Sequence, residues 1–167
     1  MVHMDYSKFY EGVTRIFREY SRLHAGLIYF NMYYTYAMYL LYPCLLVFLL
    51  FHSPRMFFKT LFITGASFYA LTYVRKLINR QRPYEKYDLH VLLEKATRGN
   101  SMPSRHIFSA VAIAMCVLQV SHPLGIVLLV FSAVSAVVRV LLGVHYPSDV
   151  IVGYILGVLS GLLVLIL

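Results

Sequence analysis

Arg139, His145 and Asp149 stand in the stretch RVLLGVHYPSD and bring a cation, an imidazole and a carboxylate into an otherwise apolar part of the chain. Residues 107–138 hold no Lys, Arg, Asp or Glu, and none follows Asp149 up to Leu167. Ionisable groups in such surroundings are expensive to keep in lipid and mark a protein interior or a water-filled cavity. A carboxylate four residues after a histidine shares its face if both lie on one helical turn. There it can accept a hydrogen bond from one ring nitrogen and leave the other as a base or nucleophile. Pro147 suits the first turn of a helix that begins just after His145. The plainer alternative is an ion pair that only ties two helix ends together.

Two further clusters carry chemistry of the same kind. Arg75, Lys76, Arg80, Arg82 and Pro83 close one apolar segment, and the seven-residue spacing of Arg75 and Arg82 predicts one shared helical face. Pro103, Ser104, Arg105 and His106 open the next, with Ser104 a candidate N-cap whose helix would offer free N–H groups and a positive dipole to an anion. Eight of the fifteen Lys and Arg fall between Arg75 and Arg105, a concentration that suits an anionic substrate or lipid headgroup. Guanidiniums, a helix N-terminus and the two histidines His106 and His145 are what phosphoryl transfer without a metal requires. Cys44 and Cys116 sit in apolar runs without metal-ligand spacing and read as packing residues.

The elements that must position these groups are membrane helices. The chain has 167 residues, 60% of them hydrophobic and 13% charged, with mean hydropathy +0.69. That is the composition of an integral membrane protein of one domain, residues 1–167. The formal charge of +8 does not signal nucleic acid, because the basic residues neither cover a soluble face nor alternate with an RNA-binding aromatic pattern. Residues 5–23 alternate polar and apolar faces with helical period, as a helix lying on the membrane surface does. Five apolar spans follow, near 27–51, 57–74, 104–120, 124–142 and 147–167, with Pro43 a possible kink in the first. The expected fold is therefore an all-α polytopic membrane bundle of about five transmembrane helices plus an N-terminal amphipathic surface helix. No cleavable signal peptide is visible, so the first span is expected to remain as an anchor. The hydrophilic interval 84–103 is expected to hold either a short helix near 87–95, stopped by Gly99 and Asn100, or a plain connector. Gly153, Gly157 and Gly161 recur every four residues and predict close helix packing, within the bundle or at a dimer face. With this count all three charged clusters reach the same membrane boundary.

In order and spacing these clusters resemble the type 2 phosphatidic acid phosphatase family, also called the lipid phosphate phosphatase or acid phosphatase-like superfamily. The resemblance covers about residues 57–167. Arg75, Arg82 and Pro83 match its first motif, with Arg in place of Lys and Lys76 one residue late. Pro103, Ser104 and His106 match the second, with Arg105 in place of Gly. Arg139, His145 and Asp149 match the third, with Val138 in place of Ser. The resemblance implies that His145 attacks phosphorus, oriented by Asp149, and that His106 protonates the leaving oxygen. Arg75, Lys76, Arg82, Ser104, Arg105 and Arg139 would hold the phosphate. It implies no cofactor and no metal, and a lipid phosphate or diphosphate as substrate: undecaprenyl diphosphate, phosphatidate or phosphatidylglycerophosphate. Membrane lipids are the expected surroundings and nucleic acid is not an expected partner. The Arg and Lys distribution, with Arg15, Arg18 and Arg22 near the N-terminus, points the site to the cytoplasm, whereas the resemblance points it outward, and we expect an extracytoplasmic site in the cell membrane. The rival classes are a non-catalytic lipid-phosphate-binding or scaffold protein that kept the pocket, and a small anion carrier. A vanadium haloperoxidase shares the pocket chemistry, but such relatives are typically soluble.

Overall fold

A computed structural model describes residues 6–93 and 97–167, which among themselves form helices and connecting loops without a strand. The first helix, α1 (Tyr6–Glu19), buries Tyr10 and Thr14 and ends where Tyr20 is extended, at φ −113° and ψ 100°. The segment expected as one surface helix over 5–23 is thus divided. Residues 21–23 belong to α2 (Ser21–His52), and Asp5 lies outside the described residues. α2 continues through Pro43 and turns at Ser53 into α3 (Pro54–Ile78), which starts with Pro54 in its first turn. The two pack together, and Tyr42 and Thr64 hydrogen-bond between them at 2.7 Å.

The short helix expected near 87–95 is replaced by a single turn at the head of the interval, α4 (Pro83–Lys86). Proline in its first turn and Glu85, whose carboxylate accepts from the Arg82 amide, favour that site. Residues 87–93 are not helical, and Lys95 lies outside the described residues. Then come α5 (Arg105–Leu118), α6 (His122–Leu141) and α7 (Pro147–Ile166).

α5 is the axis of the bundle. Its residues from Ile107 to Val117 are buried except Ser109, and it packs most extensively on α7 and α6. Its 14 residues reach only about 21 Å, against about 30 Å of hydrocarbon. α2, α6 and α7 are long and apolar enough to cross a membrane. α3 has the length but carries charges at both ends, Arg55 and Lys59, then Arg75 and Lys76. The glycines of α7 face α5: a Cβ would fall 2.7 Å from the Ser104 carbonyl at Gly153, 2.7 Å from Val111 Cβ at Gly157 and 2.1 Å from Met115 Cβ at Gly161. The four-residue repeat is therefore a packing seam inside the bundle. Outward faces are apolar, with Tyr36, Leu40, Phe62, Tyr69, Val130, Val137, Ile151 and Ile155 all exposed, as a lipid-facing surface requires.

Candidate active site

The three charged clusters come together at one end of the bundle, and α1 lies at that same end, with the Tyr10 hydroxyl donating to the Leu141 carbonyl at 2.9 Å. Arg75 is buried in the last turn of α3. Asn79 then adopts a left-handed conformation, φ 40°, and stops the helix. Arg75 and Arg82 consequently do not share a helical face, contrary to the seven-residue reading, because Arg82 sits beyond the break as the residue before α4. The loop folds them back together. Arg75 donates through Nη1 to the Pro103 carbonyl at 2.8 Å and through Nη2 to the Asn100 carbonyl. Arg82 donates to the carbonyls of Gly99 at 3.2 Å and Val144 at 3.4 Å. Lys76 is exposed, one position from buried Arg75, and makes none of these bonds.

Arg139 lies in the last turn of α6 and is 2% exposed. After it Gly143, at φ 77°, turns the chain so tightly that a Cβ there would meet Val91 at 2.7 Å and the Tyr10 hydroxyl at 2.8 Å. The turn leaves His145 2% exposed, two residues ahead of α7, and Asp149 fully buried in the first turn of α7. Pro147 occupies that first turn as expected. The two residues do not share one helical turn. Nδ1 of His145 nonetheless faces Oδ2 of Asp149 at 3.5 Å, and the same oxygen accepts from the Tyr146 amide at 3.0 Å and from the Ser101 hydroxyl. The Asp149 carbonyl accepts from the Ser104 amide at 2.9 Å, which joins the second and third clusters through backbone.

Ser104 stands at the N-cap of α5, but its hydroxyl does not cap the helix; Oγ is buried without a partner. Arg105 is the first helical residue, with no left-handed φ, and its side chain is exposed. Together with His106 it lines a cavity of about 300 Å³ bounded by Tyr34, Tyr39, Phe68 and Ser135. A second apolar hollow of about 260 Å³ shares Met38, Tyr39, Phe68, Ser109 and Ile113 with the first and extends it along the helices to Thr64 and Gly65.

The electrostatics of this end are unbalanced. Arg75, Arg82 and Arg139 are all buried, yet the ion pairs among the described residues join Arg15 to Glu19, Arg80 to Asp149 and His145 to Asp149. Among the described residues none of the three buried guanidiniums has a carboxylate, and Nε of Arg139 has no partner. Buried charge without compensation is strongly destabilising unless an anion arrives to pair it. Burial, reinforced by Arg139 and Arg82 and opposed by Asp149, pushes His145 down to about 4, so its imidazole is neutral at physiological pH. No three His, Cys, Asp or Glu side chains among the described residues are grouped to hold a metal. The arrangement can bind a tetrahedral oxyanion and present a neutral imidazole to it.

The sequence from residue 57 to residue 167 matches the model of the PAP2 superfamily. The chain belongs to that superfamily. This PAP2 protein is 29% identical over 102 residues to the undecaprenyl-diphosphatase BcrC of Bacillus subtilis, covering 60% of this chain and 52% of that one. It is 39% identical over 92 residues to the decaprenylphosphoryl-5-phosphoribose phosphatase of Mycobacterium tuberculosis, covering 54% and 49%. The matches thus span about half the length of these relatives. The crystal structure of Aquifex aeolicus LpxE superposes with a TM-score of 0.73 at 22% identity over 99% of both chains. That of a transmembrane PAP2 type phosphatidylglycerolphosphate phosphatase from Bacillus subtilis does so at 0.71 and 20% identity, over 98% of this chain and 86% of the other. The PAP2 fold, a membrane helix bundle, thus accounts for the whole chain. Val138, where the superfamily motif has Ser, is buried with Leu92, Leu142 and Val144 and does work of packing.

Two polar residues at the site were given no role of their own by sequence. Arg80 was one cation in a basic run, and nothing in its spacing separated it from its neighbours. Ser101 lies in a loop without periodicity, where no pattern exists to place a hydroxyl. Gly153 carried a signal, the four-residue repeat, but not its role of letting α7 reach the Ser104 backbone.

Proposed function

We propose that this chain is an integral membrane lipid phosphatase that removes a terminal phosphate from a lipid phosphate or diphosphate through a phosphohistidine on His145. The observation that carries the reading is the set of three buried guanidiniums, Arg75, Arg82 and Arg139, left without carboxylates around a neutral, carboxylate-oriented imidazole. The terminal phosphate enters that cluster, with the Ser104 hydroxyl and the amides at the head of α5 as further donors. Nε2 of His145 attacks phosphorus in line while Asp149 takes the growing charge on Nδ1–H. The bond from phosphorus to the lipid-side oxygen breaks, and His106 supplies that oxygen with a proton. Water then attacks the phosphohistidine, gives its proton to His106 and releases inorganic phosphate. Each fixed donor to the nonbridging oxygens is worth roughly 10²- to 10³-fold in rate. Charge neutralisation by arginine leaves no step that requires a metal.

The hollow running from Arg105 and His106 along α2, α3 and α5 suits the lipid tail. Both sequence relatives are named for polyprenyl-linked substrates, which makes a polyprenyl diphosphate the first compound to test, ahead of phosphatidate and phosphatidylglycerophosphate. Detergent-purified protein should release phosphate from one of these in the presence of a chelator. Equal release by wild type and His145→Ala would leave the scaffold reading in its place. We propose that the site faces the extracytoplasmic side. Labelling by a membrane-impermeant reagent of a cysteine placed at exposed Asp88, in a chain lacking Cys44 and Cys116, should occur from outside intact cells and not only after lysis.

A further inference from the structure

Besides the Tyr146 amide on Oδ2, the Asp149 carboxylate is held by two side chains that lie outside the three motifs. Nη1 of Arg80 donates to its Oδ1 at 2.8 Å, and the Ser101 hydroxyl donates to its Oδ2. Nη1 also reaches Ser148 Oγ at 2.8 Å, and the guanidinium lies over the Tyr146 ring, 4.0 Å from its centre. The Ser101 amide donates to the Arg80 carbonyl at 2.9 Å, so the two act as one piece. The Asp149 side chain is 0% exposed and that of Arg80 35%, which makes Arg80 the cover between this carboxylate and water. Arg80 differs from Arg75, Arg82 and Arg139 in being paired with a carboxylate, so its charge is already committed.

We propose that Arg80 and Ser101 are positioning residues for the nucleophile, fixing the plane of the Asp149 carboxylate so that Oδ2 stays on Nδ1 of His145 and Nε2 stays on phosphorus. The proposal rests on the phosphatase reading. A carboxylate held on one oxygen only can rotate about its last bond; gripped on Oδ1 from the solvent side and on Oδ2 from Ser101, it cannot turn away. The cation also draws part of the carboxylate's charge, which restrains its pull on the imidazole and keeps the ring neutral. Other groups acting on this pair are Arg139 from α6 and Arg82 from the loop, on His145, with Tyr6 from α1, Arg75 from α3 and Tyr146 around Asp149.

The test compares wild type with Arg80→Gln, Arg80→Lys and Ser101→Ala by phosphate release from a prenyl diphosphate in detergent, from about pH 4 to 8. Nitrogen-15 histidine NMR follows the titration of His145 in the same proteins. In Arg80→Gln we expect kcat to fall about tenfold with KM within about twofold, as for loss of an outer-shell partner of a working histidine. The acid limb and the His145 titration should both move up by about half a unit or more, because a cation has been removed from its carboxylate. Arg80→Lys should restore most of the rate, and Ser101→Ala should move both readouts the same way by less. A raised KM with an unmoved acid limb would make Arg80 a phosphate ligand and overturn the proposal. A lower kcat with both limb and titration unmoved would reduce it to a structural brace, and an unchanged enzyme would also refute it. Should Arg80→Gln fail to fold, Ser101→Ala decides. Should wild type release no phosphate from any lipid, the phosphatase reading falls, while the NMR comparison still shows whether Arg80 governs His145.

Discussion

The α5–α7 pair carries charged groups at one end and none at the other, and the two ends solve different problems with the same helices. At the far end Gly161 meets Met115, and Val164 is fully buried in a cluster with Cys116 and Val117; there close packing is the whole of the arrangement. At the near end the same glycine seam brings α7 within reach of the Ser104 backbone, whose amide bonds the Asp149 carbonyl. Buried charge then accumulates around that junction without compensation. The apolar end holds the register, and the polar end uses it to keep guanidiniums and an imidazole where an anion would bind. Stability should therefore reside in the seam, and activity in groups that by themselves destabilise the fold.

The largest expected effect separates the ends outright. His145→Ala should lower phosphate release by at least about 10³-fold while leaving thermal unfolding in detergent nearly unchanged. Next, Arg139→Met should cut kcat/KM about 10²-fold and yet raise stability by about 1 kcal/mol or more, because an unpaired buried cation is exchanged for an apolar side chain of similar length. A loss of both activity and stability in that variant would erase the distinction drawn between the ends.

The seam itself can be cut at either extremity. Gly153→Ala pushes a methyl against the Ser104 carbonyl and should lower kcat about tenfold by shifting the head of α5. Gly161→Ala meets Met115 instead and should destabilise by about 1–3 kcal/mol, while the folded fraction keeps its rate. Comparable rate losses in the two variants would mean that packing at the apolar end also shapes the polar end, and the division of roles between the ends would fail.

A graded effect comes with pH. His145 is held neutral by burial, with a value pushed down to about 4 from about 6.5 in the unfolded chain. Between those two values the unfolded state binds the extra proton, so stability is full above about pH 6.5 and declines as pH falls towards about 4. If His145 is the nucleophile proposed above, the rate should hold well below pH 6 and fail on the same descent. Unfolding midpoints and initial rates measured across that window check both signs. Replacing His145 with Asn should flatten the stability slope.

How much of this was legible in one sequence differs between the ends. Apolar run lengths and the four-residue glycine repeat located the helices and the seam, because a lipid-facing helix must be apolar over a length set by the bilayer. Boundaries moved where single residues broke the pattern: Tyr20 divides the N-terminal helix from α2, and Asn79 stops α3 before Arg82. The short helix expected near 87–95 gave way to one turn at Pro83–Lys86, since proline and a well-placed Glu85 outweigh a weak periodicity. The motif arginines, His106, His145 and Asp149 were all nameable from type and spacing. The partners of Asp149 were not, because Arg80 and Ser101 lie 69 and 48 residues away and only loop geometry brings them to it.

By itself, then, the sequence determined an all-helical membrane fold and which residues were candidates for chemistry, since hydrophobic length and the cost of charge in lipid act locally and leave a readable pattern. The tertiary structure decided which of the described cations are paired with carboxylates and which are not, that Arg82 joins Arg75 across a broken helix, and that α5 is the buried axis. Those outcomes depend on backbone turns and long-range hydrogen bonds, which have no period in the sequence through which they could be read.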